Sequence, residues 1–280
     1  MASKKLTKKE QQVQAVAELE DHAAIINHIV DEGLNPHTKI KRGVHPSAEK
    51  NTGNDGTSII SKRLKEAFSG INWLFPTVIK FRVSKECRAL ILDVDFPEIE
   101  HMPDSAPTVK KTSQTLETKK RKSVDIKKDY LVHIHSIVLR LAGESFYHVP
   151  QIETVLIGGY TQRVNPKTGL QNDDHILSVI FQRQQWQNLN PVQAAPLDFI
   201  DNFNNKKEIK NGELKTIIPF GAEDIPDDFD GQPPITVAYQ PMSNEQRIKN
   251  AKYHLGLNRK KGSGCATLLL VIALILFIVL

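Results

Sequence analysis

The sequence is short of cysteine: its 280 residues hold only Cys87 and Cys265. Two cysteines cannot build a disulfide framework and offer no zinc-ligand spacing, so a reducing compartment is the simplest expectation. The N-terminus, Met1-Ala-Ser-Lys-Lys, lacks the apolar run that would export a chain through its front end. Internal repeats are absent. So are the Walker, G-x-S-x-G and H-E-x-x-H strings, which removes the sequence signatures of P-loop nucleotide hydrolases, α/β-hydrolases and zinc proteases. Neither sign of charge dominates, since 37 Lys and Arg against 32 Asp and Glu leave +5, too little by itself to name a partner. What is present is ordinary: 40% hydrophobic and 25% charged residues suit a packed domain rather than a disordered chain.

The one long apolar run closes the chain. Cys265, Ala266, Thr267, Leu268, Leu269, Leu270, Val271, Ile272, Ala273, Leu274, Ile275, Leu276, Phe277, Ile278, Val279 and Leu280 carry no charge, and only Thr267 is clearly polar. As a helix these residues cover roughly 24 Å at ~1.5 Å per residue, slightly short of a ~30 Å hydrocarbon core. Gly262, Ser263 and Gly264 can extend the helix, and local thinning of the bilayer can absorb the remainder. A soluble core helix would be expected to keep a polar stripe over four turns. The positive collar Arg259, Lys260 and Lys261 precedes the run and should remain on the cytoplasmic side. The expectation is a C-terminal tail anchor, with the bulk of the chain in the cytoplasm. Cys265 at the interface reads as a small apolar residue, or as a palmitoylation site in a eukaryote.

Ahead of the anchor, residues 7–32 read as an amphipathic helix. Thr7 with Glu10 fits a capping box, and Val13, Val16, Leu19, Ala23, Ile26 and Val30 recur at helical spacing. A polar loop over 34–56 follows, so the N-terminal region is 1–56. The spacing of Ile60, Leu64 and Phe68 predicts a short helix over 57–69. Thr77–Val83 alternates as a strand, whereas Arg88–Phe96 is almost continuously apolar and should be the more buried. Residues 103–124 have few core-forming side chains and read as a flexible basic insert. The strongest helix signal covers 125–148, where an apolar surface this wide implies burial against a sheet. Glu153–Val164 and Ile176–Gln182 read as a hairpin, and a helix near 191–204 closes the core. The acidic, proline-rich stretch from 221 reads as a stalk, continuing through a short helix at 243–255 and the collar to 263. The expected fold is therefore α+β, a hairpin-helix-hairpin-helix core over 57–220, with a single transmembrane helix over 264–280.

Three groups of residues carry candidate chemistry. Asp93 and Asp95 stand two apart on a strand, on one face, and with Glu98 could bind a divalent metal through oxygen ligands. Pro97 ends the strand there, so carboxylates simply facing water are the plainer reading. Lys110, Lys111, Lys119, Lys120, Arg121 and Lys122 in the insert could attract phosphate, as nucleic acid or as anionic lipid headgroups. His133 and His135 lie about 200° apart around a helix and cannot readily share a metal, so structural burial is the expectation for them. Glu117-Thr-Lys119, Glu208-Ile-Lys210 and Glu213-Leu-Lys215 match the short nuclease string, but none follows an apolar strand, so they read as solvated charge. Gly158-Gly159 fits no nucleotide fingerprint; a bulge or close packing suits it better.

Four segments, ALILDVDFPEIEHMP (89–103), LVHIHSIVLRLAGESF (131–146), ETVLIGGYTQRVNPKTG (153–169) and LSVIFQRQQWQNLN (177–190), occur in a familiar order and spacing. Over residues 70–220 the chain resembles an uncharacterised bacterial domain that, in other proteins, precedes an Mrr-type restriction endonuclease domain. The resemblance implies an accessory module, a bacterial source with its inner membrane, and a nucleic-acid or phage-defence setting. It supplies no catalytic residue, because in such fusions the nuclease motif lies downstream, where this chain has 221–280.

The functional expectation is a membrane-tethered, non-enzymatic binding or scaffold protein needing no cofactor, with the bilayer and an unknown protein as partners. The alternatives are a nucleic-acid-binding accessory factor using the insert, and a divalent-metal-dependent nuclease using Asp93, Asp95 and Glu98.

Overall fold

The computed structural model describes residues 54–71, 73–109, 116–164, 168–190 and 194–239. The expected helices at 7–32 and 243–255, the collar, the anchor, Lys110 and Lys111 lie outside these. Among the described residues no helix is long and apolar enough to cross a membrane.

The protein is α+β. In chain order its elements are α1 (Asn54–Ser69), β1 (Val78–Val83), β2 (Ala89–Asp95), β3 (Ser105–Val109), β4 (Leu116–Lys120), α2 (Ser123–His148), β5 (Thr154–Val164), β6 (Gln171–Gln182), α3 (Arg183–Gln187), α4 (Pro196–Ile200), β7 (Asn204–Lys207), β8 (Ile209–Lys210), β9 (Glu213–Leu214) and β10 (Ile235–Ala238). The described residues divide between two units, those within 103–126 in one and those within 54–102 and 127–239 in the other.

Within the second unit lies a six-stranded mixed sheet in the order β10-β1-β2-β5-β6-β7. Only β2 and β5 run parallel. Parallel neighbours need a long crossover, and α2 supplies it. Residues Tyr130 to Phe146 of α2 are buried with the single exception of Val132, as the wide apolar surface of the sequence requires.

One face of the sheet carries the main core. Phe68 of α1 meets Phe81 of β1 edge-on at 5.5 Å, while Trp186 of α3 packs between Phe146 of α2 and Phe181 of β6, each at 5.7 Å. Phe199 and Phe203 complete this aromatic cluster. Arg183 ends α2: its guanidinium donates to the carbonyls of Phe146 and Val149 and lies 4.8 Å from the Phe146 ring. A cation over the last carbonyls satisfies acceptors left without intrahelical partners.

The opposite face is covered in part. Residues 220–229 cross it as a strap, placing Ile225 and Phe229 on Ala89, Ile91, Leu156 and Ile180, with Phe220 and Ala222 beside them. Polar anchors fix the strap's edges. Lys85 pairs with Asp228 at 2.6 Å, Arg88 with Asp227 at 3.4 Å, and Lys206 sits 4.1 Å from the Phe220 ring.

Three expectations need correction. The stretch from 221 is no stalk where it is described: its apolar residues Ile225, Phe229 and Val237 are buried, and β10 extends the sheet alongside β1. Within the insert at 103–124, the described residues Ser105–Val109 and Leu116–Lys120 pair as antiparallel strands, β3 with β4, because threonine and alternating side chains suit a ladder even without a core. The closing helix near 191–204 is only the five residues of α4, after which Asn204 to Lys207 turn extended as the edge strand β7.

Candidate functional site

Beyond the strap, the second sheet face turns polar, and register decides which side chains gather there. Asp93 of β2 lies between Lys80 of β1 and Gly158 of β5, while Asp95 lies beside Tyr160, which in turn pairs with His175 of β6. Cross-strand partners share a face, so Lys80, Asp93, Asp95, Tyr160 and His175 surround Gly158. The Tyr160 and His175 rings stand 5.5 Å apart. Asp173 and Gln162 extend the patch, with Gln162 Nε2 donating to Asp173 Oδ1 at 3.3 Å. Gln171 donates to Gln162 at 2.8 Å.

Sequence parity alone would have placed His175 on the other face. A register shift between Gly159 and Tyr160 rearranges the β5–β6 ladder and brings Tyr160 opposite His175. The glycines differ in role. A Cβ on Gly159 would fall 1.9 Å from Phe96 Cε2, so the Phe96 ring occupies the space a side chain would take. At Gly158 a Cβ would meet Asp93 Oδ1 at 3.6 Å and His175 Cδ2 at 3.9 Å, which is ordinary contact. The bulge and the close packing expected of this pair are both present, divided between the two residues.

The carboxylates are strained for charge. Desolvation, then Asp173 and Glu98, push the Asp95 carboxyl up to about 6, with Lys80 opposing. Asp93 is raised chiefly by desolvation, against Arg82, His175 and Lys80. No ion pair reaches Asp93, Asp95 or Asp173 among the described residues. Burial and the Asp95 charge raise the Tyr160 hydroxyl, whose hydrogen bond to Lys80 works the other way.

The metal trio suggested by the sequence is only partly assembled. Asp93 and Asp95 do share a face, but Glu98 Oε1 accepts the Gln162 amide at 2.8 Å. Among the described residues no three His, Cys, Asp or Glu side chains stand close enough to hold one metal ion. Of the basic insert, Lys119, Lys120 and Lys122 are exposed, whereas Arg121 donates to the Pro103 carbonyl at 2.9 Å and ties the base of the hairpin. Glu208 and Lys210 pair with each other at 2.6 Å, and Glu213 takes Lys215 at 2.8 Å and Lys127 at 2.9 Å. His133 and His135 are buried structural residues. Phe75 packs edge-on against His133 at 5.2 Å, and His135 Nδ1 bonds the Leu131 carbonyl at 2.7 Å.

Lys80, Tyr160 and Asp173 escaped the sequence reading. Their signal was the alternation of polar residues along β1, β5 and β6, legible only once the strands are paired. No protein-family model, no curated protein and no solved structure matches this chain, so the family resemblance rests on the four quoted segments alone.

Proposed function

We propose that this chain is a membrane-tethered, non-enzymatic binding protein that presents the polar half of its open sheet face as a docking surface. One observation carries the docking role: the half-buried carboxyls of Asp93 and Asp95 gather on one sheet face with their proton affinity raised by desolvation, and Lys80 and Arg82 oppose that rise without cancelling it. Unneutralised charge of this kind is costly to folding and is concentrated at functional surfaces. The tether rests on the apolar run 265–280 and its collar Arg259, Lys260 and Lys261. A nuclease using Asp93, Asp95 and Glu98 has the least support, because Glu98 is committed to the Gln162 amide.

A second reading, phosphate binding by the insert, is favoured by the exposure of Lys119, Lys120 and Lys122 around the β4 strand. It keeps the nucleic-acid accessory role that the family resemblance implies.

The test uses the full-length chain in membranes, with a photoreactive side chain in place of Gln171 on the docking face or of Lys62 on α1. Discrete protein adducts from position 171 and none from 62 are expected, in the membrane fraction. Equal labelling from both positions, or full-length protein in the soluble fraction, overturns the proposal. Crosslinks to nucleic acid from a photoreactive group placed at Lys119 favour the second reading.

A further inference from the structure

The two edges of the six-stranded sheet are finished differently. At one edge β7 carries Lys206 and Lys207, which donate to the carbonyls of Pro219 and Leu197. Lysine on an edge strand discourages further pairing. At the other edge β10 holds Ile235, Thr236, Val237 and Ala238, with no charge. β1 pairs with one side of β10, and among the described residues no backbone hydrogen bond reaches the other side. Beside this open edge, between β10 and the last turns of α1, lies a cavity of about 310 Å³. We infer that the β10 edge and this cavity together receive an extended segment of another protein. The segment adds a strand beside β10, places an apolar side chain in the cavity and sets a carboxylate against Lys65. The groove's role does not depend on that of the polar face around Asp95.

Register shows how an added strand fits. Val237 pairs with Ile79 and shares with it the face that α1 covers, whereas the exposed Thr236 and Ala238 belong to the opposite face. Phe68, Trp73 and Val237 are buried at the floor of the cavity, while Lys65, Ser69 and Ala238 at its mouth are exposed. The volume is at the small end for ligand sites and suits one or two side chains rather than a large cofactor. Every second side chain of an added strand points to the α1 side. One apolar residue can therefore fill the cavity while the backbone ladder supplies the affinity.

Charge and area select the occupant. Lys65 is the one ionised side chain lining the cavity, and among the described residues it makes no ion pair. The carbonyls of Glu66, Ala67 and Phe68 at the end of α1 are taken by the Gly70 and Ile71 amides, so Lys65 sets the sign of the site. A carboxylate two positions from the apolar residue, on the same face of the added strand, complements it. A second copy of this chain fits less well. Four ladder positions bury far less than the roughly 1,200 Å² of a stable interface. Two-fold pairing of β10 with itself would also turn one Lys65 towards another.

The experiment is fluorescence anisotropy of the full-length protein in neutral detergent at pH 7.5, with fluorescein-labelled hexapeptides. The peptide TETLTV sets its glutamate, leucine and valine on one face of a strand. Saturable binding is expected, and at least threefold weaker binding of TKTLTV, the scale of one exposed charge contact. Lys65→Glu should reverse that preference. Lys65 is exposed, so a variant that still melts cooperatively reports on binding and not on folding. Two N-methylated forms of TETLTV, blocked at odd or at even amides, test the ladder. A strand offers only alternate amides to its neighbour, so one form should bind at least tenfold more weakly than the other. No saturable binding, equal binding of TETLTV and TKTLTV, or indifference to the position of methylation overturns the inference. A wild-type dimer in sedimentation velocity that the peptide dissociates also overturns it, in favour of a second copy. Lys62, a turn before Lys65, does not line the cavity, so the crosslinking comparison of positions 171 and 62 stands whichever result is obtained.

Discussion

Asp95 shows how a single residue can be placed against the interest of the fold. Its carboxyl is raised from 3.8 to about 6, chiefly by desolvation, so the folded protein holds a proton more tightly than the unfolded chain. Between those values the folded state binds more protons, and acidification from pH 7 to pH 4 stabilises the protein through this residue. Asp95→Asn is therefore expected to raise stability by about 1 kcal/mol at pH 7, after discounting for solvent screening of a half-exposed group. The gain should shrink toward zero at pH 4, as read by urea unfolding at both pH values. His135 acts in the opposite sense. Burial lowers it from 6.5 to about 4, so its contribution to stability is complete above 6.5 and is lost as pH falls toward 4. The two residues contribute to the acid limb of the stability profile with opposed signs, and Asp95→Asn should remove the Asp95 part and leave the His135 part in place.

At the scale of elements, the β2–β5 pair depends on a missing side chain. The Phe96 ring lies where a Cβ on Gly159 would sit, 1.9 Å from Phe96 Cε2, and Phe96 itself is buried. Phe96 N also donates to Tyr160 O at 2.9 Å, so the ring and the backbone are held together at the bulge. Gly159→Ala is expected to cost about 1–3 kcal/mol through overpacking, and Phe96→Leu in the same chain should recover part of that loss. Thermal unfolding of the single and double variants measures this coupling; strict additivity would mean that the ring does not govern the glycine. Gly158→Ala, one residue away, has room for its methyl group and should fall within about 0.5 kcal/mol of the wild type. This contrast was half legible. The pair Gly158-Gly159 read as a bulge or close packing from the sequence, but which glycine faces a ring depends on strand parity and on Phe96 folding back over β5.

For the whole molecule, the strap is what joins distant parts of the second unit. Ile225 and Phe229 pack on residues of β2, β5 and β6, and the ion pair of Asp228 with Lys85 spans 143 positions of chain. Phe229→Ala should cost about 3 kcal/mol or more, as core aromatic truncations do. It should also raise protease sensitivity near 220–229 without loss of the helical signal from α2. Unfolding in two separate steps would show that the strap is an independent appendage rather than part of the cooperative unit.

By itself the sequence determined the local periodicities: the helical repeat of Ile60, Leu64 and Phe68, the long apolar helix at 125–148, the buried character of β2, and the hairpin at 153–182. Each is set by neighbours within a few residues, where side-chain spacing and backbone geometry are directly coupled. Tertiary structure decided the rest. A proline-rich acidic stretch reads as a linker because Ile225, Phe229 and Val237 are too widely spaced for a periodic signal, and their partners lie in strands far away in the chain. The site followed the same rule. Asp93 and Asp95 were visible as a pair on one strand, but Lys80, Tyr160, Asp173 and His175 join them only through the register of β1, β5 and β6. Register is fixed by long-range burial and a bulge, and neither is written in any short window of sequence.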